Sequence, residues 1–325
     1  MHQTGFWSDP ERCKTAERTG WESTLIPRID YQKLAAADPE TLETVATGAR
    51  EVGFLLLGNT PVGARRQQAA LSAYQQFFDQ PRATKAAVDM ARTGANRGWG
   101  GSRSERVDPV ANPDYKEVFD CGVPLDADDP LAGLPVYAAN LWPASPAGFQ
   151  AIVEDYFGRT RDVAMTVLEG IARSLGRDPE AFAGKFARPM ALLRGNYYPP
   201  RPAWAGERDF GIAAHTDYGC LTLLASDGQA GLELETRDGH WREIHSEPGE
   251  FVVNFGEMLE IWSAGAVKAT PHRVVGGDRA RLSIALFFNP DYDADVSPPG
   301  SVRPISAGAH LSQRYAETYL HLNDA

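Results

Sequence analysis

The stretch AAHTDYGCLTLL, from Ala213 to Leu224, carries a histidine and an aspartate within a run of mostly small, apolar and β-branched residues. This composition is typical of a β-strand, in which successive side chains point to opposite faces. His215 and Asp217 are two positions apart, so the pattern predicts that they share one face. Cys220 then falls on the opposite face and is expected in the core. An imidazole and a carboxylate on one face are either a buried hydrogen-bonded pair or two metal ligands.

A third ligand would favour the metal. His272 opens another β-patterned run, KATPHRVVGG. Two imidazoles and one carboxylate on a rigid β scaffold can occupy one face of an octahedral metal and leave three sites open, as in non-haem Fe(II) oxygenases. We therefore predict that His215, Asp217 and His272 are metal ligands. The other histidines are expected at the surface or in terminal segments: His2, His240, His245, His310 and His321.

Two further runs carry polar side chains suited to binding an acid. In RLSIALFFN, Arg281 and Ser283 share a strand face, and a guanidinium beside a hydroxyl can grip a carboxylate. In LRGNYYPPRP, one strand face carries Arg194, Asn196 and Tyr198. Asn196 and Tyr198 are predicted to help orient a small acid, whereas a structural ion pair is the expected role of Arg194.

The change of pattern near Pro189 predicts the fold class. Before it the chain is mainly helical, and after it short β-patterned runs alternate with turns such as Asp238-Gly239, which is typical of a sandwich, barrel or jelly roll. We predict an α+β chain with a mainly β core and a single domain, 1–325. Residues 1–188 form its mainly helical part, 189–295 its jelly-roll core, and 305–325 a C-terminal helix. The predicted elements are helices Pro39–Gly53, Pro61–Gln80, Ser145–Gly176 (with Ile152 on its apolar side) and Leu311–Leu322, a strand Phe54–Asn59, a loop Arg92–Pro113, and the β-patterned run FVVNFGEMLEIW.

These runs, in order, resemble the iron- and 2-oxoglutarate-dependent dioxygenase superfamily, and more narrowly its isopenicillin N synthase-like branch. The matching segments are NYYPP, GIAAHTDYGCLTLL, GLELE, FVVNFGEMLEIWSAG, KATPHRVV and RLSIALFF. The N-terminal segments IPRIDYQKL, EVGFLLLGN and YKEVFDCG resemble the same branch. One departure is Asn59-Thr60-Pro61-Val62, where many members have NHGV, and it lies away from the ligand positions.

The resemblance implies a distorted double-stranded β-helix, or jelly roll, with helices packed on it largely from the N-terminal half. It implies Fe(II) at the three predicted ligands. It further implies that Arg281 and Ser283 bind the far carboxylate of 2-oxoglutarate, helped by Tyr198, with Asn196 near the cosubstrate. O2 is then the second cosubstrate.

The implied reaction oxidises a small-molecule metabolite, as in secondary metabolism, while 2-oxoglutarate is decarboxylated to succinate and CO2. Because a carboxylate occupies position 217, hydroxylation, desaturation or ring closure is favoured over halogenation. Two alternatives stay open. One is an isopenicillin N synthase-like oxidase that does not use 2-oxoglutarate, and the other is a non-catalytic β-sandwich binding module.

Charge and composition limit the partners. The chain has 325 residues with 32 basic and 43 acidic side chains, a net charge of −11, which argues against nucleic-acid binding. No apolar run of membrane-spanning length or signal-peptide core is present, and Cys13, Cys121 and Cys220 are too scattered for a disulfide framework, so a cytoplasmic protein is expected. The substrate is expected to be small, acidic or amino-acid-like, and the oligomeric state is left open. Candidate substrate-pocket residues are Arg97, Trp99, Arg194, Phe287 and Phe288.

Overall fold

The structure is a computed structural model that describes residues 26–108, 111–206 and 208–318. The predictions for His2, Cys13, His321 and the end of the C-terminal helix lie outside the described residues. Within these ranges, no helix combines the length and apolarity that a membrane crossing requires.

The helices are distributed along the chain, and the long ones pack against the larger sheet. They are α1 Tyr31–Ala35, α2 Pro39–Glu51, α3 Gly63–Phe78, α4 Arg82–Ala86, α5 Phe149–Ser174, α6 Glu180–Ala183, α7 Glu257–Trp262 and α8 Ala307–Thr318. Local sequence explains where α2 begins, because Asp38 accepts a hydrogen bond from the backbone N–H of Thr41 (2.9 Å) and proline occupies the first turn. The helices predicted over Pro39–Gly53, Pro61–Gln80 and Ser145–Gly176 are confirmed, and each is a few residues shorter than predicted.

The strands form two sheets. They are β1 Arg28–Asp30, β2 Phe54–Gly58, β3 Gly98–Gly100, β4 Glu117–Gly122, β5 Leu192–Tyr198, β6 Ile212–His215, β7 Leu221–Ser226, β8 Leu232–Glu235, β9 Trp241–Glu243, β10 Phe251–Phe255, β11 His272–Val274 and β12 Arg281–Phe288. The larger sheet has the order β1-β2-β10-β7-β12-β5-β4-β3, and the smaller one β6-β11-β8-β9. The larger sheet thus combines strands from both parts of the chain, which supports the proposal of one domain.

Alternation along the strands places the two cores on opposite faces of the larger sheet. In β2, Leu55 and Leu57 join the main core, which packs against α3 and α5. Phe54 and Leu56 face a smaller core shared with Leu234 of β8 in the smaller sheet. The sheets therefore pack face to face with helices outside the larger one, which confirms the α+β jelly-roll class.

The prediction of one strand across Ala213–Leu224 is wrong. β6 ends at His215 in the smaller sheet, and β7 begins at Leu221 in the larger one. The intervening segment crosses between the sheets. Within it, Gly219 passes so close to the side chain of Asn289 that no Cβ would fit. Asn289 Oδ1 also accepts the Cys220 backbone N–H at 2.8 Å. Alternation along one strand is therefore not what brings His215 and Asp217 together. Cys220 is buried, as expected.

Smaller corrections concern elements near turns. FVVNFGEMLEIW is a strand only to Phe255 and continues as α7, and the predicted loop Arg92–Pro113 contains β3, which pairs with β4. Ile152 is 40% exposed and lies off the buried face of α5. The hairpin at Asp238-Gly239 is confirmed, since β8 and β9 pair across it.

Candidate active site

The predicted metal ligands converge where the smaller sheet meets the crossing segment. His215 ends β6 and His272 begins β11, and the antiparallel register places them directly opposite each other. Asp217 follows two residues after the end of β6. Its Oδ1 lies 3.8 Å from His215 Nε2 and 3.7 Å from His272 Nε2. One ligand atom from each residue lies within 4.8 Å of the others, which is a spacing suited to one shared ion.

Hydrogen bonds orient each of these side chains. The Nδ1 atoms of His215 and His272 lie 2.8 and 3.1 Å from the carbonyl oxygens of Ala213 and Thr270. Because a carbonyl only accepts, Nδ1 carries the proton and Nε2 presents its lone pair to the centre of the cluster. This tautomer is the one that binds a metal through Nε2.

The carboxylate of Asp217 is held in the same manner. Its Oδ2 accepts hydrogen bonds from Thr222 Oγ1 (2.5 Å) and Asn254 Nδ2 (2.6 Å), which leaves Oδ1 for the cluster. The backbone N–H of Glu257 donates to the Asp217 carbonyl at 2.8 Å and anchors the turn. Three donor atoms, two nitrogens and one oxygen, are therefore oriented toward one another by the surrounding hydrogen bonds.

Burial sets the charge of the cluster. It lowers the pKa of His215 well below its usual value, and His272 adds to the effect, so the imidazole is neutral. Burial opposes ionisation of Asp217, but the two histidines and its two hydrogen bonds outweigh it and lower its pKa. Two imidazole nitrogens and one carboxylate oxygen are a donor set that fits Fe(II).

A second group of buried polar side chains lies on β12 and β5. The register pairs Arg281 with Tyr198 and Ser283 with Asn196. Arg281 Nη1 donates to Ser283 Oγ at 3.3 Å, and its guanidinium carbon lies 5.3 Å from the centre of the Tyr198 ring. The neighbouring residues Leu193 and Tyr197 pack on the opposite face, as the alternation predicts.

The protein satisfies the guanidinium of Arg281 only in part. Its side chain is buried, yet Nε has no hydrogen-bond partner. In the described ranges of the chain, no carboxylate forms an ion pair with it. A buried guanidinium without an anion is costly, so this site is suited to a carboxylate brought by a ligand.

A cavity opens beside the three predicted metal ligands. Its lining comes from β5, β6, the crossing segment, β12, α8 and the segment before β4. The residues are Glu105, Val107, Arg194, Ile212, His215, Thr216, Asp217, Tyr218, Gly219, Phe287, Asn289, Leu311, Tyr315 and Thr318.

Of the five candidate substrate-pocket residues, the structure brings Arg194 and Phe287 to this cavity. Arg97 instead donates to the backbone carbonyls of residues 96, 136 and 138 and lines a separate cavity. Trp99 Nε1 donates to the carboxylate of Glu117, and Phe288 is buried against another aromatic ring on the outer face of β12. Arg97, Trp99 and Phe288 therefore do not line the cavity beside the three predicted metal ligands.

Sequence reasoning missed the C-terminal helix α8 as a cavity wall. Arg314 on this helix stacks on Tyr218, 4.3 Å from the ring centre, and donates to Glu257 Oε1 at 3.1 Å. The same oxygen accepts a hydrogen bond from Thr216, which stands between two predicted ligands. An amphipathic helix indicates a buried face but not its partner, so sequence offered no signal for this contact.

Sequence reasoning also missed a buried charge cluster formed by Glu105, Asp114, Lys116, Asp120 and Arg194. Arg194 binds Asp120 through two hydrogen bonds of 2.8 and 2.5 Å and also contacts Glu105. Lys116 Nζ lies 2.8 Å from Glu105 and 2.9 Å from Asp114. The expected ion pair of Arg194 is thus present, within a larger network.

Comparison with known proteins supports the same conclusion. Residues 26–145 match the family described as non-haem dioxygenase in morphine synthesis N-terminal, and residues 189–290 match the 2OG-Fe(II) oxygenase superfamily. A homoarginine-6-hydroxylase from Oryza sativa subsp. japonica is 32% identical over 88% of this chain and 89% of its own.

Solved structures agree. A full-length Neurospora crassa protein in complex with α-ketoglutarate and thymine is 28% identical, with a TM-score of 0.78, covering 90% of this chain and 96% of that one. The structure of JOX2 in complex with 2OG, Fe and JA is 25% identical, with a TM-score of 0.74, covering 89% and 88%. This chain therefore belongs to the 2OG-Fe(II) oxygenase superfamily and is a non-haem Fe(II)- and 2-oxoglutarate-dependent oxygenase of a small molecule.

Proposed function

We propose that this enzyme hydroxylates a small amino-acid-like metabolite, with Fe(II) held by His215 Nε2, His272 Nε2 and Asp217 Oδ1. The observation that carries the assignment is that the remaining polar atoms of all three side chains are already hydrogen-bonded to the protein. Each side chain therefore has one atom left, and these atoms face one another. When bound, the iron and its cosubstrates supply the oxidising chemistry that no side chain can supply.

The cosubstrate assignment follows from the partly unsatisfied guanidinium. We assign the far carboxylate of 2-oxoglutarate to Arg281 and Ser283, with Tyr198 flanking the guanidinium and Asn196 next to the serine across the strand pair. All four side chains are at most 5% exposed, so they exclude water from this carboxylate and strengthen its ion pair.

The substrate assignment is carried by the cavity. Its mixed lining, with Phe287 and Leu311 beside polar groups, suits a small molecule that has both apolar and polar parts. The rice relative is named as a hydroxylase of homoarginine, which supports hydroxylation of an amino-acid-like compound. We also place the protein in the cytoplasm, which the two buried free thiols of Cys121 and Cys220 support.

An anaerobic titration tests the cosubstrate assignment. Fe(II) and then 2-oxoglutarate are added to the purified protein, and the weak visible charge-transfer band of the chelated oxoacid is followed. We expect a band in the wild type, and Arg281→Ala should lose it at a 2-oxoglutarate concentration that saturates the wild type. Arg65→Ala, which changes an exposed arginine on α3, is the matched control and should keep the band.

The titration also separates the alternatives. Iron binding without a band would favour an oxidase that uses another acid, and loss of the band in both variants would overturn the role of Arg281. Absence of iron binding would overturn the metal assignment itself.

A further inference from the structure

Strand β6, which ends at His215, lies at the edge of the smaller sheet, with β11 as its strand neighbour. On the outer side of this edge runs the segment that precedes β4. The backbone N–H of Tyr115, in this segment, donates to the carbonyl of Phe210 at 3.3 Å. Because a buried backbone N–H without an acceptor is costly, the edge of β6 depends on acceptors that this segment supplies.

Asp114 supplies one such acceptor. Its Oδ1 accepts the backbone N–H of Ala213 at 3.3 Å, and both residues are only 1% exposed. The carbonyl of Ala213 in turn accepts the Nδ1–H of His215 at 2.8 Å. Ala213 is therefore held by Asp114 through its N–H and orients the imidazole of His215 through its carbonyl.

The buried charge cluster fixes Asp114 itself. Asp114 Oδ2 accepts a hydrogen bond from Lys116 Nζ at 2.9 Å, and Lys116 also lies 2.8 Å from Glu105. Glu105 is paired with Arg194 of β5 at 3.0 Å. All four side chains are buried. One carboxyl oxygen of Asp114 thus belongs to the cluster, and the other supports the edge of β6.

The bond from Ala213 does not depend on the charge of Asp114. Burial raises the pKa of Asp114, and the neighbouring Lys116 opposes this effect. A carboxyl oxygen can accept the Ala213 N–H in either protonation state. The edge of β6 therefore requires an acceptor at this position rather than a negative charge.

We propose that Asp114 is a positioning residue for the iron site: it fixes β6 through Ala213 and so sets the orientation of the His215 imidazole. The buried charge cluster, whose ion pairs the proposed reaction does not use, then serves to hold Asp114 in place. The inference rests on the proposed function, because it takes His215 as an iron ligand. Groups that orient a metal-ligating imidazole tune the affinity for the metal, and Asp114 acts on such a group.

The affinity for Fe(II) tests this role, measured anaerobically by competition with a chelator at a temperature well below unfolding. We expect Asp114→Ala to weaken iron binding about tenfold, at the lower end of the range for partners of metal ligands. Asp114→Asn keeps an acceptor oxygen for the Ala213 N–H, so it should restore the affinity to within about threefold of the wild type.

Asp291→Ala is the matched control. Asp291 is also a buried aspartate whose carboxylate accepts a backbone N–H, that of Arg188, at 2.6 Å. Chemical denaturation ranks the stability of all variants. Asp291→Ala should keep the iron affinity of the wild type even if it lowers the stability as much as Asp114→Ala does.

Hydrogen exchange of the wild type provides a second measurement in case Asp114→Ala does not fold. The backbone N–H of Ala213 should exchange slowly, and rapid exchange would overturn the proposal. Unchanged iron affinity in folded Asp114→Ala, an equal loss of affinity in Asp291→Ala, or no recovery in Asp114→Asn would also overturn it. His215→Ala is measured alongside and should lose iron binding. Iron affinity retained in that variant would refute the proposed ligand set instead, so the two failures are distinguished.

Discussion

The two ends of the active site are built in different ways. At the proposed cofactor end, His215, His272, Arg281 and Ser283 lie on strands, and cross-strand register fixes their neighbours. At the substrate end, Glu105 lies before β4 and is positioned by ion pairs with residues from other segments. The cofactor end is therefore set by backbone pairing, whereas the substrate end depends on side-chain pairs and can change while the scaffold is kept.

Removal of the carboxylate ligand should produce the largest effect. We expect Asp217→Ala to lose iron binding and turnover by roughly 100-fold or more, since one ligand is gone and the donors on Thr222 and Asn254 lose their acceptor. The fold should persist with a loss of about 1–3 kcal/mol in the free energy of unfolding. Anaerobic iron binding and chemical denaturation measure the two effects, and Asp278→Ala at an exposed aspartate is the control. Retained iron with severe unfolding would mean that Asp217 is a structural partner.

The cosubstrate site proposed at Arg281 should require the shape of arginine as well as its charge. We expect Arg281→Lys to raise the KM for the oxoacid cosubstrate by roughly 10- to 100-fold, because an ammonium cannot form two parallel hydrogen bonds to a carboxylate. The value of kcat at saturating cosubstrate should change much less. Steady-state assays of succinate release measure both constants, and an unchanged KM would refute the carboxylate assignment.

The hydrogen bond that orients Asp217 should have a smaller effect. Thr222→Val keeps the size of the side chain but removes the donor to Asp217 Oδ2, and we expect iron affinity to fall by about tenfold. Competition with a chelator gives the affinity. The same substitution at Thr236, in the exposed turn between β8 and β9, should leave iron affinity unchanged.

The contrast between the two ends also explains what the sequence could predict. β12 and β5 are continuous strands, so alternation placed Arg281, Ser283, Asn196 and Tyr198 correctly on one face. The His215–Asp217 pair was predicted to converge for the wrong reason, because a change of sheet follows β6 and a close approach at Gly219 carries no local pattern. Residues brought together by side-chain pairs across the chain, such as Glu105 with Arg194, leave no periodic signal at all.

Acidification should weaken the metal-free protein. Burial lowers the pKa of His215 below its usual 6.5, so the unfolded chain binds this proton more readily than the folded one. Stability should therefore fall as the pH drops below 6.5, by up to about 1.4 kcal/mol per pH unit for this one group. Denaturation series between pH 7 and pH 5 measure the slope, and His215→Gln should flatten it. A slope that persists in His215→Gln would point to another group.

The contact between α8 and the crossing segment should have the smallest effect. Arg314→Ala removes the ion pair to Glu257 and the stacking on Tyr218, both partly exposed. We expect the KM for the primary substrate to rise by only a few-fold, in line with the small energy of such pairs, while the KM for the oxoacid cosubstrate stays constant. Equal changes in both constants would show that α8 also supports the cofactor end.

The central claim is that three side chains hold the iron and Arg281 holds the cosubstrate. A crystal structure of the protein grown anaerobically with Fe(II) and 2-oxoglutarate tests it most directly. We predict one iron bound by His215 Nε2, His272 Nε2 and Asp217 Oδ1, with the far carboxylate of 2-oxoglutarate on Arg281 and Ser283. An iron bound through other atoms, or a cosubstrate that does not contact Arg281, would contradict the account.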